Sequence, residues 1–278
     1  MTPRHALFLS FIVAAAWWPQ VSAKAEGAIS AEVLSEAGIV PTEGKFHDFK
    51  QFKFALPEDG ASCIIVSPKI AAAGHPWIWR ARFWGHQPAF DKAMLEKGYH
   101  IAYCDVANLF GAPKAVQRWD TFYALTQKLG LGAKPVLEGM SRGGLIIFNW
   151  AKANPDKVTA IYADNPVCDI RSWPKKKSKP DWKQCLSAYG MAEEEGVEFN
   201  GNPTDALEPL AKAGVPVFLV LGAKDDVVPI AENADILERN YKALGGSVRR
   251  WVKPNANHHP HGLHPPDELV TAVLAAAK

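Results

Sequence analysis

The sequence predicts an α/β fold: a mostly parallel central sheet flanked by helices, with a cap-like insertion. Three observations lead there. Short apolar runs alternate with segments of helical periodicity along most of the chain. One run, 135–138, passes through GMSRGG at 139–144 directly into an apolar helical pattern, so Ser141 sits at a strand–turn–helix junction with glycine on both sides. Two later apolar runs end in polar loops, LGAKDDVVP at 221–229 and NANHHPHG at 255–262.

The elements follow in order. Arg4 and His5 precede the apolar run 6–18, and Val21-Ser22-Ala23 has the small-x-small spacing of a leader-peptide cleavage site. Residues 1–25 are therefore expected to be a signal peptide, and 26–278 a single domain of an exported, secreted or periplasmic protein. The run is too short to span a bilayer, and no lipobox follows it. Residues 26–45 read as a tether or short helix, and the alternation over 46–56 as an edge or outer strand that pairs with the buried strand 62–67 across the turn 57–60. Further strands are expected at 77–79, 100–104, 136–138, 158–163, 215–221 and 248–252. Helices are expected at 87–97 before Gly98, at 113–129, after Arg142, at 205–212, at 230–244 before Gly245-Gly246, and at 266–277, where proline suits the first turn. In the second of these, Val116, Trp119, Phe122, Leu125 and Leu129 form the core-facing stripe. The stretch 164–205 is too long and too polar for an ordinary connection and is expected to be the insertion.

Composition narrows the function classes. The chain has 278 residues, 48% of them hydrophobic, enough for a large core. Thirty-one basic residues against 29 acidic leave a net charge of +2, which gives no electrostatic case for nucleic acid. The run KKKSK at 175–179 reads as a solvated face, with attraction of an anionic polysaccharide as the sharper alternative. Cys63 and Cys104 lie in apolar strands as small hydrophobes, whereas Cys168 and Cys185 sit in the irregular segment, where a disulfide is expected to pin the loop. Many of the ten tryptophans serve packing; those in loops offer faces for carbohydrate or aromatic ligands.

With these residues in view, the chain resembles the α/β-hydrolase superfamily over most of 47–277, and more closely its secreted esterase-like members. GMSRGG resembles the nucleophile elbow, GAKDDVVP the acid loop and NANHH the histidine ending. The resemblance implies Ser141 as nucleophile, Asp225 as acid and His258 as base. Asp226 stands one residue late for the Asp-x-x-Val-Pro spacing, and His259 and His261 remain alternative bases. It also implies an oxyanion site formed by the N–H of Arg142 and a second donor near Arg80 or Ala81. Candidate substrate contacts are Trp79, Arg82, Asp105, Asp164 and Trp173. The arginine after the serine is similar to the elbow of glucuronoyl esterases, although Met140 and Leu145 replace the cysteine and lysine found there. The implied activity is serine-dependent hydrolysis of a carboxylic ester through an acyl-enzyme, on substituted carbohydrate such as acetyl, feruloyl or methyl-uronate esters, with no cofactor or metal. A peptidase using the same residues and a non-catalytic glycan binder are the alternatives. The histidine-rich loop also has metal-ligand chemistry, but the serine and acid partners account for it without zinc.

Overall fold

A computed structural model describes residues 28–277. The expected leader, 1–25, lies outside the described residues. Ser30 accepts a hydrogen bond from the Val33 N–H and opens α1 (Ala31–Glu36). The outer strand begins earlier than the alternation suggested: β1 (Thr42–Phe46) pairs antiparallel with β2 (Phe49–Ala55), and the alternating residues are those of β2. β1 exposes every residue but Phe46. With both faces in water it carries no apolar period to be read.

The chain continues through β3 (Ser62–Ser67), β4 (Trp77–Ala81), α2 (Ala89–Glu96), β5 (His100–Cys104), α3 (Pro113–Lys128), β6 (Val136–Met140), α4 (Gly143–Ala153) and β7 (Ala160–Asp164). The described residues form a nine-stranded sheet ordered β1-β2-β3-β5-β4-β6-β7-β8-β9, in which β8 is Val217–Gly222 and β9 is Val248–Lys253. The first four strands in that order pair antiparallel, and every pairing from β5 through β4 to β9 is parallel. This is the α/β-hydrolase fold. Its parallel strands carry their functional loops at their carboxyl ends, so the loops after β4, β6, β7, β8 and β9 gather on one edge.

Helices α3, α4 and α8 (Ala234–Ala243) cover one face of the sheet, and α2 and α9 (Asp267–Ala276) the other. On the first face Trp77, Trp79, Trp119 and Trp150 are all fully buried. Trp79 stacks on Trp119 with centroids 4.0 Å apart and meets Trp150 edge-on at 4.9 Å. Trp79 is therefore a core residue and not the substrate contact expected of it, because the alternation of β4 turns it toward α3 and α4.

Arg80 points to the opposite face and is also buried. It pairs with Asp91 of α2 and, at 3.1 Å, with Glu138 of β6. Its other terminal nitrogen donates to the carbonyls of Phe83, at 3.1 Å, and His86. Burial opposes the Arg80 charge, but Asp91 and Glu138 raise its pKa. Burial first, and Asp91 second, push the Glu138 carboxyl far above the usual range. The cluster thus sets one guanidinium against two buried carboxyl groups.

Between β7 and β8 lie an irregular turn at Arg171–Lys175, α5 (Lys179–Tyr189), α6 (Glu193–Val197) and α7 (Glu208–Lys212). Val167, Ile170, Trp182 and Cys185 of this segment pack with Phe110, Leu145 and Val228. Cys168 and Cys185 are both free and buried, so the expected bridge is absent. Each packs as a small hydrophobe in a different apolar cluster, and burial pushes the Cys185 thiol up to about 12. Buried amides pin the loop instead: Asn233 accepts from the N–H groups of Cys168 and Asp169, and Asn202 from that of Ile170.

His100, at the start of β5, is fully buried and accepts from the Ile29 N–H. Burial lowers its pKa from 6.5 to about 4. Between those values the unfolded chain takes up a proton that the folded chain refuses, so stability falls as pH drops from about 6.5 to about 4, by about 3 kcal/mol. Urea unfolding at pH 7 and pH 4 checks this, and His100→Gln is expected to flatten that part of the profile.

Candidate active site

The elbow is built by close approach. A Cβ on Gly139 would stand 2.7 Å from Ile147 Cδ1 and 2.8 Å from the Gly143 carbonyl, and one on Gly143 would stand 2.9 Å from the Ala81 carbonyl. Strand and helix meet so tightly that Ser141 is held at φ 50°, a left-handed conformation unusual for serine. Its N–H donates to the Asp164 carbonyl, and its own carbonyl accepts from Gly144 and Val167, each at 2.9 Å. The strained turn is thereby fixed from both sides.

β8 delivers Asp225 and β9 the histidine loop. Asp225 Oδ1 accepts from the N–H groups of Val227 at 3.0 Å and Val228 at 2.8 Å, while Oδ2 lies 2.7 Å from His258 Nδ1. His258 Nε2 lies 3.0 Å from Ser141 Oγ. The structure brings these three together and leaves Asp226 exposed. Of the alternative histidines, His259 is exposed and His261 is turned to Asp164, 2.5 Å away. Asn165, directly after β7, ties the loops: it donates to the His258 carbonyl at 2.9 Å and accepts from the Gly222 N–H at 2.7 Å. Asn165→Ala is expected to lower kcat by about 10²-fold, through misplacement of the imidazole, with KM for a small ester nearly unchanged; steady-state kinetics check this.

A pocket of about 520 Å³ opens over Ser141. The loop after β4 forms one wall with Phe83, Trp84 and His86, and Trp173 forms part of the opposite wall. Arg80 and Ala81 lie inside β4, in register with Glu138 and Gly139 of β6. The turn beside the serine begins after them, at Arg82 and Phe83, with φ of 64° and 45°. The Arg80 side chain acts from beneath by holding the carbonyls of this loop. The N–H of Arg142 stands at the start of α4, where first-turn groups lack intrahelical acceptors. Its guanidinium pairs with Asp181 of α5 at 3.2 Å and lies over the Phe110 and Trp173 rings.

The other expected contacts divide. Trp173 lines the pocket. Arg82 is half-buried with its guanidinium over Phe83, outside the pocket lining. Asp105 accepts from Tyr103 Oη and the Ala107 N–H and shapes its own turn. Asp164 is fully buried and satisfied by His261, the Gly262 N–H and Tyr162 Oη, so it does not reach a ligand. Sequence reasoning missed Phe83, Trp84 and His86, whose only signal was an aromatic and glycine cluster directly after the strand. Burial, reinforced by neighbouring imidazoles, lowers the pKa of His86 and of His259. Among the described residues no group of His, Cys, Asp or Glu is arranged to hold a metal ion.

The model of the prolyl oligopeptidase family matches residues 121–272, just over half of the chain. The chain belongs to the prolyl oligopeptidase family. The matched span includes Ser141, Asp225 and His258 and omits the loop after β4. An acylamino-acid-releasing enzyme of Arabidopsis thaliana is 32% identical over 127 residues, 43% of this chain and 16% of that protein. The match thus spans about a sixth of the length of that protein. Among solved structures, an S-formylglutathione hydrolase from Agrobacterium tumefaciens superposes with a TM-score of 0.63 at 13% identity, over 86% of this chain and 98% of that one. Acetyl xylan esterase 1 from Thermoanaerobacterium gives 0.57 at 15%, over 89% and 93%. At such identities these two likenesses establish the fold alone.

Proposed function

We propose that the chain is a serine hydrolase that cleaves carboxylic esters, acting on ester-substituted carbohydrate. The observation that carries this reading is the hydrogen-bonded chain from Ser141 Oγ to His258 Nε2 and from His258 Nδ1 to Asp225, opening into a pocket. His258 takes the hydroxyl proton as Ser141 attacks the ester carbonyl, and Asp225 holds the ring in the required tautomer. The N–H of Arg142 and one from the turn after β4 stabilise the oxyanion. His258 then passes the proton to the departing alkoxide, and water releases the acyl group by the reverse sequence. Aromatic rings of Phe83, Trp84 and Trp173 on the pocket walls support a sugar-bearing substrate, and the segment between β7 and β8 acts as a cap. The apolar run 6–18 supports export.

Cleavage of acylated peptides is the second reading, favoured by the 32% identity to an acylamino-acid-releasing enzyme. One panel separates the two: acetylated, feruloylated and methyl-uronate glycans beside acetylated aminoacyl anilides, scored by released acid, alcohol and amine. Turnover of the glycan esters without release of amine is expected. Amine release at comparable kcat/KM favours the peptidase, and no turnover with no labelling by a serine-directed phosphonate removes both.

A further inference from the structure

A second Asp–His pair stands beside the first. Asp164 is fully buried at the end of β7. It accepts from Gly262 N–H at 2.6 Å, from Tyr162 Oη at 3.1 Å, and from His261 Nδ1 at 2.5 Å. A neutral imidazole that donates from Nδ1 carries its remaining lone pair on Nε2. His261 lines the pocket over Ser141, and among the described residues its Nε2 has no hydrogen-bond partner. The pair repeats the arrangement of Asp225 and His258, with ring centroids of the two histidines 4.9 Å apart, but no serine faces it. The mechanism above makes no use of it.

The chemistry of the pocket wall narrows what this nitrogen meets. The carboxylate among the lining residues, Asp181, is held by Arg142 and Ser178, and Asp225 lies behind His258. Of the lining side chains, His261 presents an acceptor nitrogen whose ring is fixed by a buried carboxylate. The Arg142 guanidinium in the same pocket disfavours an ammonium partner, and on an ester of a polyol the neutral donor at hand is a hydroxyl. His258 hands its proton to the departing oxygen, and an acceptor on a ring whose centroid stands 4.9 Å from that of His258 is within reach of a group carried next to that oxygen.

Resting on the esterase reading, we infer that His261, oriented by Asp164, is a specificity residue whose Nε2 accepts a hydrogen bond from a hydroxyl adjacent to the scissile ester, so that the pocket selects esters of vicinal diols. A site built around such a bond discriminates against the analogue that lacks the hydroxyl.

The test compares 2-hydroxyethyl acetate with propyl acetate, which differ by hydroxyl against methyl and share the acyl group. The full chain is expected to favour the former by about 5- to 10-fold in kcat/KM, the worth of one neutral hydrogen bond. His261→Phe is expected to bring that ratio to near one, and His261→Gln, whose amide oxygen accepts, to keep part of it. Because the ratio is internal to each protein, a general loss of activity does not mimic the result. A ratio near one for the unmodified chain overturns the inference, as does a ratio unchanged in both variants, whether their rates hold or fall together. Hydrolysis of neither acetate removes the esterase reading, and this inference with it.

Discussion

Ser141→Ala is expected to lower kcat for ester hydrolysis by about 10⁶-fold while leaving KM within a few-fold. The hydroxyl supplies the attacking atom, whereas the pocket walls that bind substrate are untouched by its removal. His258→Ala is expected to cost about as much, and the double variant little more than either alone, because base and nucleophile act as one unit. Burst kinetics with an activated acyl ester check the same point: the acyl-enzyme burst disappears with Ser141. Retention of more than a hundredth of the rate in Ser141→Ala would mean that the chemistry lies elsewhere.

The second large effect is on stability. Arg80→Ala leaves the Asp91 carboxylate buried with no cation, and is expected to destabilise the fold by about 3–5 kcal/mol. Arg80→Met, which refills the volume without the charge, is expected to recover little, since the stranded anion is the source of the cost. Pairing it with Asp91→Leu is expected to recover most of the loss, because the buried ion pair is then replaced by apolar groups of similar volume. Urea denaturation of the three proteins orders them. The single variants also release the carbonyls of Phe83 and His86, so what activity survives at low temperature is expected to show a reduced kcat.

The fold and three of the site residues were legible because each signal is local. A strand, a tight glycine turn and an apolar helix are contiguous at Ser141, and the loops of Asp225 and His258 follow their own strands directly. What escaped reading depends on contacts between distant segments. Trp79 looked available to a ligand, yet the stacking on Trp119, forty positions away in the chain, decides its burial. Cys168 and Cys185 share a polar stretch of sequence but fall into separate apolar clusters, and the loop is held instead by Asn202 and Asn233. An arginine-rich strand end gives no sign of where pairing stops, so the extent of β4 through Ala81 and the turn at Arg82 and Phe83 appear only in three dimensions. Asp164, expected as a substrate contact, is instead buried against His261, a partner it meets only when β7 and the loop after β9 are brought side by side.

The contact between Trp79 and Trp119 also gives the molecule an optical signature. Two indoles stacked at 4.0 Å, with a third edge-on to the first, are close enough to couple their electronic transitions, and a paired positive and negative ultraviolet circular dichroism band is the expected result. Trp79 pairs in register with Leu137 on the strand that leads to the nucleophile. Light absorbed by the interior thus senses whether that strand is seated, and a variant that keeps its helices but loosens the elbow would lose this band first.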